Sequence, residues 1–272
     1  MTLDTGRLLA VARKEFREYR RTPFVVGAMV VLPLVFMVSP VIEIVSIGPS
    51  AGARVVTKVV GSIFLLLLIV PAVIPATVAA YSVVGERDQG TLEPLLTTPV
   101  SRAEILLGKA VAAVVPSVLL AYLLFAVVEV LAALAAGNPA VPATLREGPH
   151  LLAEALFVPL LAVWSIGVGI AISTRASDVR VAQQLGTLAS LPPLAVTFLV
   201  SFQVIAPSLG VALGFGLGLL ALDMVMWWGV ARLFDRERLI TGTRAQGQDH
   251  APRGGPPGGV RRISAVGGGQ DG

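Results

Sequence analysis

Six apolar runs separated by short polar joints set the pattern of this chain, and they read as six membrane-spanning helices. The runs extend from Phe24 to Ile47, Val59 to Val84, Gly108 to Ala136, Leu151 to Thr174, Gln184 to Ala206 and Leu209 to Phe234. Each is near or above the roughly 20 residues a spanning helix needs. The first is too long for a signal peptide, whose apolar core is about 7 to 15 residues. Ahead of it, LDTGRLLAVARKEFREYRR places Leu9, Ala12, Phe16 and Tyr19 on one helical stripe with Arg13, Lys14, Arg17, Arg20 and Arg21 on its flanks. That pattern predicts an interfacial helix, its apolar stripe toward lipid and its cations among phosphates. The expected organisation is an all-α integral membrane protein: an interfacial helix at 1–22, a six-span domain at 23–238 and a tail at 239–272. The tail is rich in Gly, Pro, Gln and Arg and too poor in apolar residues to offset the entropy of ordering, so it is expected to be disordered.

Between the second and third runs lies a polar island at 85–109, GERDQGTLEPLLTTPVSRAEILLGK. Thr91 suits an N-cap, Glu93 puts negative charge in the first turn, and Pro94 still falls where its missing N–H costs no helical bond. Leu92, Leu95 and Leu96 then share one face. A helix of barely two turns is unstable alone, so it must rest on another surface. Thr97-Thr98-Pro99 ends it, and Ser101 with Glu104 forms a capping box that starts the helix running into the third span. The arrangement is a short amphipathic lever at the foot of two membrane helices.

The sequence ERDQGTLEPLLTTPVSRAEILLGK resembles the first cytoplasmic loop of ABC-2 type permeases, the membrane subunits of ATP-binding-cassette exporters. Its acidic residue, Gly-Thr-Leu-Glu, Leu-Leu, Pro-Val-Ser-Arg and Leu-Gly-Lys elements stand at fixed offsets, a far more specific match than a single glycine pattern. The resemblance extends to the connecting helix before the first span and, more weakly, to STRASDVRVAQQLG at 173–186, where Ser177 is a candidate N-cap and Asp178 lies in the first turn. It implies a non-catalytic subunit, with ATP hydrolysed by a separate cytoplasmic ATPase and a second permease subunit, identical or different, facing this one. It also implies that 85–109 is the coupling element. Glu86, Gly90, Thr91, Leu92, Glu93, Leu95, Leu96 and Arg102 are then the expected ATPase contacts, Glu86 and Arg102 as salt-bridge candidates.

Composition agrees with a membrane location. Only 14% of the 272 residues are charged and the mean hydropathy is +0.81, whereas a soluble domain carries about a quarter charged residues. The net charge of +4 comes from cations beside the spans and in the tail, so anionic lipid rather than nucleic acid is the expected neighbour. With the N-terminus placed in the cytoplasm, only Arg54, Lys58 and Arg146 of the 21 Lys and Arg residues fall outside. That asymmetry predicts both termini inside, and 85–109 with them.

Candidate chemistry is sparse. Charges at membrane depth are costly, so Glu129 in the third span and Asp223 in the sixth either line a polar route or accept hydrogen bonds from neighbours. An ion-coupled secondary transporter using these two acids is the alternative reading, though no inverted repeat supports it. Glu43 and Glu154 lie near enough to the outer ends to be solvated. Gly210, Gly214 and Gly218 recur every four residues and predict a face for close packing on another helix. Trp227 and Trp228 mark the inner interface, and Pro192, Pro193 and Pro207 mark the fifth run as one that re-entrant pieces could replace. Two histidines, His150 and His250, cannot pair with a buried serine; there is no cysteine, no phosphate-cradling loop, no cofactor motif and no metal-ligand cluster.

Overall fold

The protein, seen here as a computed structural model, is described over residues 4–88, 100–176, 178–201, 204–206 and 208–248; for 86–88, 102, 200, 201 and 233–248 the description is of the backbone. Nine helices form and no strand is found among these residues: α1 (Thr5–Arg21), α2 (Pro23–Ser46), α3 (Ala53–Asp88), α4 (Arg102–Ala135), α5 (Ala140–Leu145), α6 (Gly148–Ser173), α7 (Val179–Ser190), α8 (Leu194–Ser201) and α9 (Leu209–Gln248). Residues 1–234 are one compact unit and 235–272 a second. The first holds the bundle.

Five of the described helices, α2, α3, α4, α6 and α9, are long and apolar enough to cross a bilayer. The single fifth span expected from Gln184 to Ala206 is not formed. Its place is taken by α7, which begins earlier at Val179, and α8, which ends at Ser201. The cause is Pro192-Pro193, which lacks two successive amide donors. The chain there makes tight turns instead, Leu194 N–H donating to the Leu191 carbonyl at 2.9 Å and Ala195 N–H to Pro192 at 3.0 Å. At about 1.5 Å per residue neither piece alone reaches across a hydrocarbon core of about 30 Å.

The central helix is α3, against which α2, α4, α6, α7 and α8 all pack. Its spanning window is 67% buried, compared with 22% for α2. On α2 one narrow stripe, Val25, Pro33, Met37, Pro40 and Ile44, turns inward, while Val30, Val31, Leu34, Val35 and Val38 are exposed. An apolar outer face of that kind is stable in lipid and not in water. Proline is admitted into α3 because a neighbour repairs the ladder: with Pro71 and Pro75 in the helix, the Ala76 N–H donates to Ser165 Oγ on α6 at 3.0 Å. Ser190 of α7 reaches the same hydroxyl at 3.4 Å. The three helices approach closely there, since a side chain at Gly169 would collide with Ala76 and Ala79.

Between α4 and α5, Asn138 ties two connections together. Its Nδ2 donates to the carbonyls of Gly48 at 3.0 Å and Pro49 at 3.2 Å, and its Oδ1 accepts from Ala140 N–H at 2.9 Å. Gly137 beside it donates to the Ile44 carbonyl, in a space where a β-carbon would run into the backbone oxygens of Val45 and Ile47.

Three further expectations change in detail. Asp178, not Ser177, caps α7, its carboxylate accepting from Arg180 N–H at 2.9 Å; Ser177 lies outside the described residues. The spaced glycines of α9 meet no other helix among the described residues: Gly210, Gly214 and Gly218 are exposed, with open space above the last two, and it is Gly216 that faces Leu156 and Phe157 of α6. Finally, α9 remains helical to Gln248, so 239–248 is helix where disorder was expected; no proline interrupts that stretch, and the first beyond it is Pro252. The remainder of the tail lies outside the described residues.

Candidate functional site

In sequence the polar island joins the end of α3 to the start of α4. Residues 89–99 lie outside the described residues, so Gly90, Thr91, Leu92, Glu93, Leu95 and Leu96 have no described placement. Glu86 is helical in the last turn of α3, and Arg102 begins α4. The start of α4 is built by residues with long-range partners.

The start of α4 carries the expected capping box. Ser101 Oγ accepts from Glu104 N–H at 3.3 Å and Glu104 Oε2 accepts from Ser101 N–H at 2.7 Å. The other oxygen, Oε1, accepts from Asp4 N–H at 2.9 Å. Asp4 is itself the N-cap of α1, its Oδ1 accepting from Gly6 N–H at 2.8 Å. One buried carboxylate therefore fastens the beginnings of two helices that are 100 residues apart in sequence.

One turn further along α4, Gly108 has no room for a side chain, because Val11 and the Leu8 carbonyl of α1 press against it. Next to it, Lys109 Nζ donates to Glu15 Oε1 of α1 at 2.8 Å and to the Ser82 carbonyl of α3 at 2.9 Å. The side chains of Lys109 and Glu15 are 3% and 0% exposed. Lys14 reaches the same Glu15 oxygen at 3.4 Å from the surface and Glu18 at 3.2 Å. Removing two charges from water is costly, and attraction repays it only in a well-made geometry, so such a pair acts as a register pin more than as a source of stability. It joins α1, α3 and α4 at one point.

This contact turns α1 relative to its expected orientation. The buried side of the helix is Val11, Ala12, Glu15 and Tyr19, whereas Leu9 and Phe16 are about half exposed. The stripe thus divides, Ala12 and Tyr19 facing protein and Leu9 and Phe16 facing outward. The sequence held a signal for this: Glu15 follows Ala12 by three positions and precedes Tyr19 by four, so a carboxylate stands in the middle of the stripe and requires a cation.

The membrane acids divide as well. Glu129 accepts from Arg146 Nε at 2.8 Å and so is held in an ion pair at the end of α4. Asp223 on α9 is 3% exposed, and neither carboxylate oxygen has a hydrogen-bond partner among the described residues. The two do not converge on one another through any described contact. Glu154 is not a solvated end but 2% exposed inside α6, whereas Glu43 accepts hydrogen bonds from Ser39 and Ser62. Trp228 lies beneath the Arg232 guanidinium, 3.3 Å from the ring centroid, as suits an interfacial anchor. Among the described residues no group of three or more His, Asp or Glu converges to hold a metal ion.

A bundle of helices with apolar outer faces, five of them long and apolar enough to cross a bilayer, defines a multi-pass membrane protein. The family model described as ABC-2 family transporter protein matches residues 9–198, and the chain belongs to that family. The match takes in α1 from Leu9 onward, the polar island and both helices that flank it. No curated protein matches the chain. Membership makes the chain the membrane permease component of an ABC transporter, in a family whose members work with an ABC ATPase.

Proposed function

We propose that the chain is one permease subunit of an exporter, worked by a separate ATPase that docks on residues 86–102 from the cytoplasm. Two such subunits, identical or different, face each other around the route. The first four spans are α2, α3, α4 and α6, the fifth is the broken pair α7 and α8, and the last is α9, which leaves both termini in the cytoplasm. The observation that supports this reading is the joint of Glu15, Lys109 and the Ser82 carbonyl. A push on the helix around Leu92 to Leu96, delivered when the ATPases close on ATP, passes through Pro99 and the capped Ser101 into α4. The joint makes α1 and α3 follow. Within the bilayer α3 has its prolines, Pro71 and Pro75, where the applied tilt bends it. Glu86 and Arg102 are the salt-bridge partners of the docking face, and no residue of this chain performs the hydrolysis.

The test is co-purification in detergent with the ATPase subunit. The complex is expected at one ATPase per permease chain, with nucleotide hydrolysis accelerated several-fold over the free ATPase, and with Glu129→Gln behaving as the unaltered chain. A permease that purifies alone and moves cargo on an ion gradient without nucleotide contradicts the reading.

A further inference from the structure

The outward side of α1 is divided by charge. Helical spacing places Arg13, Arg17, Arg20 and Arg21 within one sector of about 100°, with Leu9 and Phe16 along its edge, between it and the side that packs on the bundle. All four arginines are exposed, and none has an ion-pair partner among the described residues. The carboxylates described around them are already engaged. Asp4 pairs with Arg7 at 3.6 Å, Glu18 with Lys14 at 3.2 Å and Glu15 with Lys109 at 2.8 Å, while Glu104 accepts from the backbone of Asp4 and Ser101. No carboxylate of α1 falls inside the arginine sector.

The band lies where the chain enters the bilayer. Thr22 alone separates Arg21 from α2, whose first turn already exposes Phe24 and Val26. Exposed apolar side chains bordered by cations, at the entry to a spanning helix, match the boundary between acyl chains and headgroup phosphates. Charge complementarity decides the occupant, since guanidiniums without a counter-charge call for an anion and their planar fork takes a phosphate bidentately. The other side of the same helix carries Glu15, held by Lys109, and meets Gly108 through Val11 and the Leu8 carbonyl. Whatever fixes the band therefore also fixes the side of the joint that α1 supplies.

We propose that α1 is a sensor of anionic phospholipid in the cytoplasmic leaflet. Arg13, Arg17 and Arg20 hold headgroup phosphates while Leu9 and Phe16 dip among the acyl chains, and this anchorage keeps the joint of Glu15, Lys109 and the Ser82 carbonyl engaged. Arg7 and Lys14, which have partners of their own, take no part. Lipid charge thereby sets how strongly the chain stimulates its ATPase. The effect on the ATPase rests on the proposed function; the binding of lipid does not.

The test is hydrogen exchange of the full chain in nanodiscs of phosphatidylglycerol or phosphatidylcholine, with and without the ATPase. Amides of α1 are expected to exchange about tenfold more slowly in phosphatidylglycerol, the difference being lost at high salt because attraction to an anionic surface is screened. Arg13→Gln with Arg17→Gln and Arg20→Gln removes the difference and leaves exchange in phosphatidylcholine unchanged, since these exposed side chains hold no partner in the fold. Stimulation of the ATPase by the unaltered chain falls several-fold in phosphatidylcholine, and the triple variant gives the low value in both lipids. Equal exchange of α1 in the two lipids overturns the proposal. So does slowing produced by the ATPase in phosphatidylcholine and not by phosphatidylglycerol, which gives the band to the ATPase. Slowing by phosphatidylglycerol with equal stimulation in both lipids overturns the link to the joint. A complex stimulated in neither lipid contradicts the proposed function instead, and the exchange result still decides the lipid contact.

Discussion

Replacing Lys109 with alanine is expected to destabilise the protein by roughly 3 to 5 kcal/mol, because it leaves the fully buried Glu15 charged and without its main partner. The cost falls on the joint between α1, α3 and α4, since the Ser82 carbonyl loses its donor in the same step. Two further substitutions separate the charge from the packing. Glu15→Met with Lys109→Met removes both charges while keeping similar volume, and it should recover most of the lost thermal stability, as apolar replacements of buried ion pairs commonly do. It should not recover stimulation of the ATPase, because the apolar pair no longer fixes α1 in register with α4. Thermal unfolding in detergent and nucleotide hydrolysis by the reconstituted complex measure the two effects. Full recovery of both by the neutral pair shows that the joint serves packing alone.

The second large effect is expected at the loop. Aspartate at both Leu95 and Leu96 abolishes association with the ATPase while membrane insertion stays normal. Burying a leucine contributes about 1.5 to 3 kcal/mol, so losing two costs at least about 3 kcal/mol, on the order of a hundredfold in affinity. Two carboxylates desolvated at the contact add to that cost. A pull-down from detergent extracts, with the unaltered chain alongside, reads the result directly. Association that survives the double change would move the docking surface away from 92–96.

Much of this architecture was legible in the sequence because hydropathy is a strong signal when the solvent is lipid. Five apolar runs became α2, α3, α4, α6 and α9 with shifted ends, and the Ser101 and Glu104 spacing became a capping box. The fifth run shows the limit of that signal. Hydropathy averages over a window and ignores the missing amide donors of Pro192-Pro193, so an apolar stretch of spanning length was read as one helix where the backbone makes two. The glycines of α9 show another limit: a four-residue period tells which residues share a face and not whether a partner meets it, and here Gly216, off that period, meets α6.

The joint at the start of α4 was only half legible. Short-range chemistry, in which a serine and a glutamate three residues apart cap one helix, was readable from spacing. The partner of Lys109 was not, because Glu15 lies 94 residues away and nothing local joins them. Lys109 was counted as one cation among many on the inner side, although the adjacent Gly108 marks the place where α1 comes closest. The partner of Glu129 was hidden for the same reason, since Arg146 sits beyond the end of its helix.

Because the chain has no cysteine, the side of the membrane on which the loop lies can be determined without a background. Single cysteines at Thr91 and at Gly52 are treated with a membrane-impermeant maleimide on intact cells and again after lysis. The account predicts that Gly52→Cys reacts on intact cells and that Thr91→Cys reacts only once the cells are opened. Labelling of Thr91→Cys on intact cells would put the loop beyond the reach of any ATPase and contradict the account.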